Sequence, residues 1–236
     1  MSVEVIHRDA HMLVVNKPSG LPTTGADGSD CLVERVRLLD PDAPKLHASS
    51  RLDAEVTGLV TFARTRHGNR TLMDARERGF YRRRYVALAQ SAPQPAEGRW
   101  CWRIDVDPTE PRRRVALASD TDTGRDAETR YRTRVAFARV AVLDLHPQTG
   151  RTHQLRVHAA QAACPLLGDR LYGGEVRFVA ADGRVSRARR VMLHCAEVCV
   201  PNAEGGADLV LRAPAPDDMQ ALLDALAPDA ADVLRS

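Results

Sequence analysis

The sequence predicts a single α+β domain over residues 1–236, built on a largely antiparallel mixed β-sheet that is flanked by helices. Two observations favour this class. Short apolar runs that end at Gly, Pro or Asp turns recur along the whole chain, and only a few segments space their apolar residues as a helix does. The chain shows neither a repeat nor a long linker, and the Pro-containing stretch 91–98 is short enough to be a loop.

The first half of the chain predicts two strands and two helices. Residues 3–20 predict a strand, a turn and a second strand, which Pro18 and Gly20 end. Residues 29–39 predict a helix with Ser29 or Asp30 as its N-cap. A very basic helix is expected over 64–79 and ends near Gly79.

From residue 82 onward, the sequence predicts mainly strands. We expect a strand over 82–90, a hairpin over 128–147 and a late strand within 189–201. A helix is expected to begin near residue 150. A short closing helix over 216–228 carries two Asp residues at its amino end, where the helix dipole favours negative charge.

Composition excludes several classes of protein. The chain has no apolar run close to the ~20 residues of a membrane span, and no basic-then-apolar signal at its start, so a cytoplasmic location is expected. Its five cysteines form no CxxC pair, which argues against a disulfide framework or a zinc ribbon. The stretch 194–199, HCAEVC, alternates as a half-buried strand does, and we interpret it as a strand rather than as a metal site.

Arginine dominates the basic residues and is clustered. Only Lys17 and Lys45 are lysines among 34 basic residues, and arginine-rich runs occupy 76–85, 111–115 and 183–190. A single basic run is usually a solvated face. Three runs, the first interleaved with aromatic residues, favour a nucleic-acid partner.

Two polar segments stand out as candidate sites. In SSRLDAEVTGLV, residues 49–60, Asp53 is either a turn residue or a catalytic acid presented from a loop. In TGRTHQLRVH, residues 149–158, four potential donors crowd a predicted helix start, which favours an anion such as an RNA phosphate or the Asp53 carboxylate. An Arg beside Asp53 would keep it ionised, as a nucleophile requires; the alternative is a structural salt bridge. The spacing of His153 and His158 does not favour a metal site.

These segments make the chain resemble the RluA-type pseudouridine synthase family over nearly its whole length. The family pattern His-Arg-Leu-Asp followed by Thr-Ser-Gly-Leu is approximated by residues 50–59, and Arg-Thr-His-Gln-Ile-Arg-Val-His by residues 151–158. DAHMLVVNKPSGLP, RRRYVAL, GDRLYGG and MLHCAEVCVP follow the family order. Ser50, Val56 and Thr57 depart from the pattern, where the family has histidine, threonine and serine.

The resemblance implies an isomerase that converts specific uridines of structured RNA, ribosomal or transfer, to pseudouridine by base flipping, with a central active-site cleft. It implies Asp53, Tyr85 and Arg151 as catalytic residues. It further implies Arg51, Thr57, His153, Gln154 and Leu193 as substrate-binding residues, and Arg82, Arg83 and Arg84 as contacts to the RNA backbone. We expect a monomer without a metal or cofactor and without a separate S4-type RNA-binding domain.

Two other functions stay open at this point. One is a non-catalytic RNA-binding relative whose altered pattern has lost activity, although Asp53, Tyr85 and Arg151 are all present. The other is a glycoside hydrolase that uses Asp53, although no second acid stands in a matching pattern.

Overall fold

The computed structural model describes residues 2–26, 28–43, 45–179, 183–230 and 233–234. The chain folds into two compact units, one formed by Met1–Arg83 with Cys195–Ala213 and the other by Arg84–His194 with Pro214–Ser236. Helices and mostly antiparallel strands occur together, which confirms the predicted α+β class. The prediction of one domain over the whole chain stays a prediction.

The described residues form fourteen strands and four α-helices. The strands are β1 (Glu4–Arg8), β2 (Met12–Lys17), β3 (His47–Ala48), β4 (Thr57–Ala63), β5 (Arg82–Ala89), β6 (Glu97–Trp100), β7 (Arg103–Val106), β8 (Arg114–Leu117), β9 (Thr129–Ala136), β10 (Ala141–Pro147), β11 (Arg177–Val179), β12 (Val185–Arg187), β13 (Leu193–Val200) and β14 (Leu209–Arg212). The helices are α1 (Leu32–Leu39), α2 (Arg66–Glu77), α3 (Gln154–Gln161) and α4 (Asp217–Leu226).

The first unit holds its strands in the order β1-β2-β4-β13, with β14 beside β13 and β3 beside β4. The pairs β1–β2, β2–β4 and β13–β14 are antiparallel. All of β4 and most of β2 are buried, which explains why both read as continuous apolar runs rather than as alternating ones. Helix α1 buries Leu32 and Val36, and α2 buries Leu72 and Ala75.

The second unit contains an antiparallel run of strands in the order β5-β10-β9-β6, together with the separate hairpins β7–β8 and β11–β12. Helix α3 buries six of its eight residues. Its Val157 packs in a small apolar cluster with Ile104, Ala127 and Tyr172. This burial fixes the start of α3, and Arg151 and His153 lie in the turn directly before it.

Most of the predicted elements are confirmed, and two boundaries differ. Helix α1 begins at Leu32 after Cys31, so the predicted caps are wrong: the Ser29 hydroxyl donates to the Ala26 carbonyl, and Asp30 pairs with Arg35. Helix α3 begins at Gln154, four residues later than expected, because the preceding residues form a turn that ends in left-handed His153.

The remaining sequence-based expectations concern membranes and thiols. Within the described ranges, no helix is long and apolar enough to cross a bilayer. The five cysteines are free thiols, four of them buried and Cys101 exposed. Cys195 and Cys199 lie on β13, which confirms the strand interpretation of HCAEVC. The described residues contain no group of three or more His, Cys, Asp or Glu side chains arranged to hold a metal ion.

Candidate active site

The loop that carries Asp53 is fastened by a fully buried lysine. Lys17 lies at the end of β2 with no exposed surface, and its Nζ donates to the carbonyl oxygens of Leu21 at 2.7 Å, Pro18 at 2.9 Å and Ala54 at 3.0 Å. An ammonium group is tolerated in the interior only when its donors are used. Lys17 therefore ties the turn after β2 to the residue that directly follows Asp53.

A second clamp holds the residue before Asp53. The Thr23 hydroxyl donates to the Leu52 carbonyl at 2.7 Å and accepts from the Leu52 amide at 2.9 Å. On the other side of the acid, the Gly20 amide donates to the Ala54 carbonyl at 2.8 Å. The Val56 amide closes a turn onto the Asp53 carbonyl at 3.1 Å. Backbone bonds on both sides of Asp53 thus hold its half-buried side chain on a rigid support, as a preorganised catalytic group requires.

The three departures from the family pattern, Ser50, Val56 and Thr57, all lie at buried positions. Ser50 is buried, and its hydroxyl accepts from the Thr61 amide at 3.1 Å, so it fastens the loop to β4. Val56 and Thr57 are both buried, whereas Arg51 is exposed. Of these four residues, Arg51 is therefore the one whose side chain solvent and a polar ligand can reach.

Gly58 permits a close approach of two strands beside this loop. Its φ is +111°, and a Cβ at this position would lie 2.3 Å from the carbonyl oxygen of Cys195 on β13. No other residue fits without moving the backbone. The close approach at Gly58 thereby fixes the first residues of β4, Thr57 and Gly58, against β13.

In the second unit, the segment before α3 is organised by the side-chain amide of Gln154. This amide is buried and bonded on both sides: Oε1 accepts from the Thr149 hydroxyl at 2.8 Å and the Arg151 amide at 3.0 Å. Its Nε2 donates to the Glu128 carbonyl at 2.9 Å and the Thr129 hydroxyl at 3.1 Å. These protein groups use the hydrogen-bonding capacity of the amide, so we assign Gln154 a positioning role in our proposal instead of the substrate contact expected from the sequence.

The Arg151 side chain is held at its Nε, which donates to the Asp126 carbonyl at 2.9 Å. Burial and the like charge of Arg125 lower the pKa of Arg151, while Asp126 acts in the opposite direction. Arg151 and Asp53 belong to different units, and their pairing stays a prediction.

His153 has an unusual backbone and a defined partner. It adopts a left-handed conformation with φ +57°, which is uncommon for residues other than glycine. Its Nδ1 lies 2.8 Å from the Tyr172 hydroxyl, which also accepts from the Arg114 amide at 2.9 Å. His153 lines a cavity of about 710 Å³ together with Glu110, Arg112, Arg170 and Leu171. The cationic lining suits an anionic ligand, although Glu110 partly offsets it.

Arg156, the fourth polar residue of this segment, faces the core. It is buried and makes a bidentate pair with fully buried Asp169, at 2.7 and 2.8 Å, while its guanidinium lies 5.1 Å from the Tyr172 ring centroid. Fork-to-fork pairing of this kind is the geometry that allows an arginine to be buried. Arg156 is therefore a scaffold residue.

Tyr85 and Leu193 are the remaining predicted pocket residues, and both are almost completely buried. Tyr85 lies on β5 in register with Leu145 of β10, and Leu193 begins β13. The rigid strand fixes the Tyr85 backbone. Their roles toward a substrate stay predictions.

The three predicted RNA-backbone arginines differ from one another. Arg82 is exposed, and Arg83 is half-buried with its guanidinium 5.7 Å from the Tyr81 ring centroid. Arg84 donates to the Asp144 carboxylate at 3.3 Å, where Arg134 also binds at 2.7 and 2.9 Å. Burial raises the pKa of Asp144, but hydrogen bonds and charges from Arg134 and Arg84 outweigh it, and the net shift is downward. Of the three, Arg82 is the most available to RNA.

Sequence reasoning missed the residues that hold the site in place. Lys17, Thr23 and Tyr172 received no role, although Lys17 carried a signal as one of only two lysines in an arginine-rich chain. A compact ammonium can bond three carbonyls that converge from different directions, which a planar guanidinium cannot do in the same space.

Comparison with known proteins identifies the family of the chain. A family model described as RNA pseudouridylate synthase matches residues 11–161. The chain is 34% identical to the ribosomal large subunit pseudouridine synthase D of Xanthomonas campestris pv. campestris, over 97% of this chain and 71% of that protein. It is 32% identical to the dual-specificity RNA pseudouridine synthase RluA of Escherichia coli K12, over 89% of this chain and 92% of that protein.

A solved structure shows the same fold. Human RNA pseudouridylate synthase domain containing 4 superposes with a TM-score of 0.73 at 23% identity, covering 94% of this chain and 92% of that one. The match of the family model over well over half of the chain, together with the curated relatives, confirms the expected family. The chain belongs to the RNA pseudouridylate synthase family.

Proposed function

We propose that this chain isomerises uridines of ribosomal or transfer RNA in the cytoplasm, as a monomer, with Asp53 as the catalytic carboxylate. The observation that carries the proposal is the double clamp on the Asp53 loop, where Lys17 holds Ala54 and Thr23 holds Leu52. A turn residue needs no such support on both sides. The ribosomal class is supported by the name of one relative, a ribosomal large subunit enzyme, and a second relative is named a dual-specificity RNA enzyme. The transfer-RNA class is carried over from the family resemblance of the sequence.

The reaction breaks the bond between ribose C1′ and uracil N1, turns the base, and joins C1′ to C5. A proton leaves C5 and a proton is taken up at N1, so atoms are rearranged and none is lost. Asp53 acts as an ionised carboxylate at the ribosyl centre, in the manner of the carboxylates that handle oxocarbenium-like centres in glycoside cleavage. The chemistry requires neither a redox carrier nor a metal.

The other site residues have distinct roles in this proposal. The target uridine leaves its stack to reach the acid, and the exposed Arg51 guides the extruded nucleotide. Tyr85 stacks on the flipped uracil, and its hydroxyl assists removal of the C5 proton. Arg151 holds Asp53 ionised, His153 and Thr57 contact the substrate, and Leu193 lines the pocket.

The test is release of tritium from transcripts of ribosomal and transfer RNA that carry [5-³H]uridine. The wild-type chain should release tritium, and Asp53→Asn should release none while its thermal unfolding and its RNA affinity stay near wild type. The isosteric amide removes the charge and preserves the shape. Exposed Asp42 offers a matched control, because Asp42→Asn should leave turnover unchanged. Substantial turnover by Asp53→Asn would exclude Asp53 as the catalytic group.

A further inference from the structure

An exposed aromatic residue follows helix α2. The helix ends at a turn through Gly79, whose φ is +75°, and the amides of Phe80 and Tyr81 both donate to the Ala75 carbonyl, at 2.7 and 3.0 Å. This turn buries the Tyr81 ring and leaves Phe80 42% exposed. A large part of the Phe80 surface is thus left open to solvent.

One arginine lies against the Phe80 ring, and two more are close to it in the chain. The Arg78 guanidinium carbon lies 5.0 Å from the ring centroid, and both Arg76 and Arg82 are exposed close by in the chain. The acids of this stretch are Asp74, which pairs with Arg78 at 3.3 Å between two exposed side chains, and Glu77. Exposed ion pairs of this kind are weak, so Arg78 stays available to another anion.

This turn is fixed to the loop that carries Asp53. Arg76 donates to the Ser49 carbonyl and lies 5.1 Å from the Tyr81 ring centroid. The Tyr81 hydroxyl donates to the Thr61 hydroxyl at 3.1 Å, and the Thr61 amide in turn donates to Ser50. Ser49 precedes Asp53 by four residues, which span at most about 14 Å even when extended. At about 3.4 Å per nucleotide of a helical strand, the span from Ser49 to Asp53 corresponds to about four nucleotides.

We propose that Phe80 and Arg78 form a stacking platform for an unpaired base of the substrate RNA close to the target uridine, with Arg82 at the adjoining phosphate. The proposal rests on the proposed function, which supplies RNA as the substrate. An aromatic face with a guanidinium over it, inside an arginine-rich surface, is the combination that single-stranded nucleic acids bind. A protein-docking site would instead need a contiguous apolar patch.

The chain provides a matched control for apolar exposure. Met73 lies on α2 and is 57% exposed, which makes it more exposed than Phe80. Its sulfur accepts from the Asn69 side-chain amide at 3.5 Å, and it is not aromatic. Replacing Met73 removes exposed apolar surface from the same helix without removing a stacking face.

The first experiment measures binding without using activity. A short oligouridylate carrying one 2-aminopurine is titrated with wild type, Phe80→Ala, Phe80→Trp and Met73→Ala. Wild type should quench the fluorescent base, Phe80→Ala should bind about tenfold more weakly without quenching, and Phe80→Trp should restore both. Met73→Ala should match wild type. Equal binding and quenching by wild type and Phe80→Ala would overturn the proposal, and so would an equal loss in Met73→Ala.

The second experiment separates the platform from the isomerase assignment. In the tritium assay, Phe80→Ala should raise KM about tenfold with a smaller effect on kcat, because stacking holds the flanking base before and after reaction alike. An unchanged KM would overturn the platform while leaving the isomerase assignment intact. Absence of tritium release by the wild-type chain would overturn the isomerase assignment, and the quenching experiment would still decide the platform.

Discussion

The Asp53 loop and the Arg151 segment are both irregular backbone that carries a predicted catalytic residue, but they are anchored by different chemistry. A buried charge, the Lys17 ammonium, holds the first by donating to three carbonyls. A neutral amide, Gln154, holds the second through four hydrogen bonds. Hydrogen bonds from charged donors are about twice as strong as neutral ones. The loop with the acid should therefore tolerate less displacement than the segment with the arginine.

The two anchors also differ in their sensitivity to pH. The acceptors of Lys17 are backbone carbonyls, which do not titrate. The Thr129 hydroxyl that accepts from Gln154 also lies 3.0 Å from Nδ1 of buried His158. The other ring nitrogen of His158 lies 3.0 Å from the Trp102 carbonyl, which makes it the donor. Neutral His158 therefore accepts from Thr129, and protonation removes that acceptor.

Removing the charged anchor should have the largest effect. Lys17→Met keeps the length of the side chain but removes the charged donor from three carbonyls, of which that of Ala54 keeps the Gly20 amide, and this should lower the free energy of unfolding by about 3 kcal/mol or more. Urea denaturation measures this. The control is Lys45→Met, which removes the other lysine at an exposed position and should cost little. A Lys17→Met protein as stable as Lys45→Met would show that the carbonyls do not depend on the ammonium.

The second-largest effect should come from acid, which protonates His158 beside the neutral anchor Gln154. Burial lowers the pKa of His158 from 6.5 to about 4. Because the folded-state pKa lies below the unfolded one, stability is complete above about pH 6.5 and falls as the pH drops toward 4, by up to about 3 kcal/mol. His158→Gln cannot be protonated, and it should remove this part of the pH dependence in thermal unfolding between pH 4 and pH 7. An unaltered profile in His158→Gln would assign the acid sensitivity to other groups.

Truncating the neutral anchor should cost less than removing the charged one. Gln154→Ala leaves the Arg151 amide without its acceptor and removes one of two donors from the Glu128 carbonyl, which keeps the Gln148 amide. This should destabilise the protein by about 2 kcal/mol and lower kcat more than it raises KM, since Arg151 loses its support. Gln161→Ala, at the exposed end of the same helix, is the matched control and should behave as wild type. A normal kcat in Gln154→Ala would show that the position of Arg151 does not depend on Gln154.

The sequence predicted the periodic elements well and the anchors poorly. The hairpin of β9 and β10 and the helix α2 follow from local apolar spacing, and both are confirmed. The start of α3 was placed too early, because the left-handed turn at His153 leaves no mark in apolar spacing. Lys17 bonds Ala54, which is 37 residues away, so its role depends on tertiary structure that no local pattern encodes. The Asp53 and Arg151 segments stand out in the sequence by their polar residues and then match a family pattern, whereas their supports carry no such local mark.

The smallest expected effect distinguishes two arginines that the sequence grouped together. Arg82 is exposed, whereas Arg84 is half-buried and bound to Asp144. RNA binding through phosphates releases counterions, so each lost phosphate contact should reduce the slope of log K against log salt by about 0.7 to 0.9. Arg82→Ala should flatten the slope by about this amount. Arg84→Ala should leave the slope unchanged and lower stability instead, because Asp144 loses one of its two arginines. Filter binding across a salt series measures the slopes, and a reduced slope in Arg84→Ala would show that Arg84 leaves Asp144 to bind the RNA.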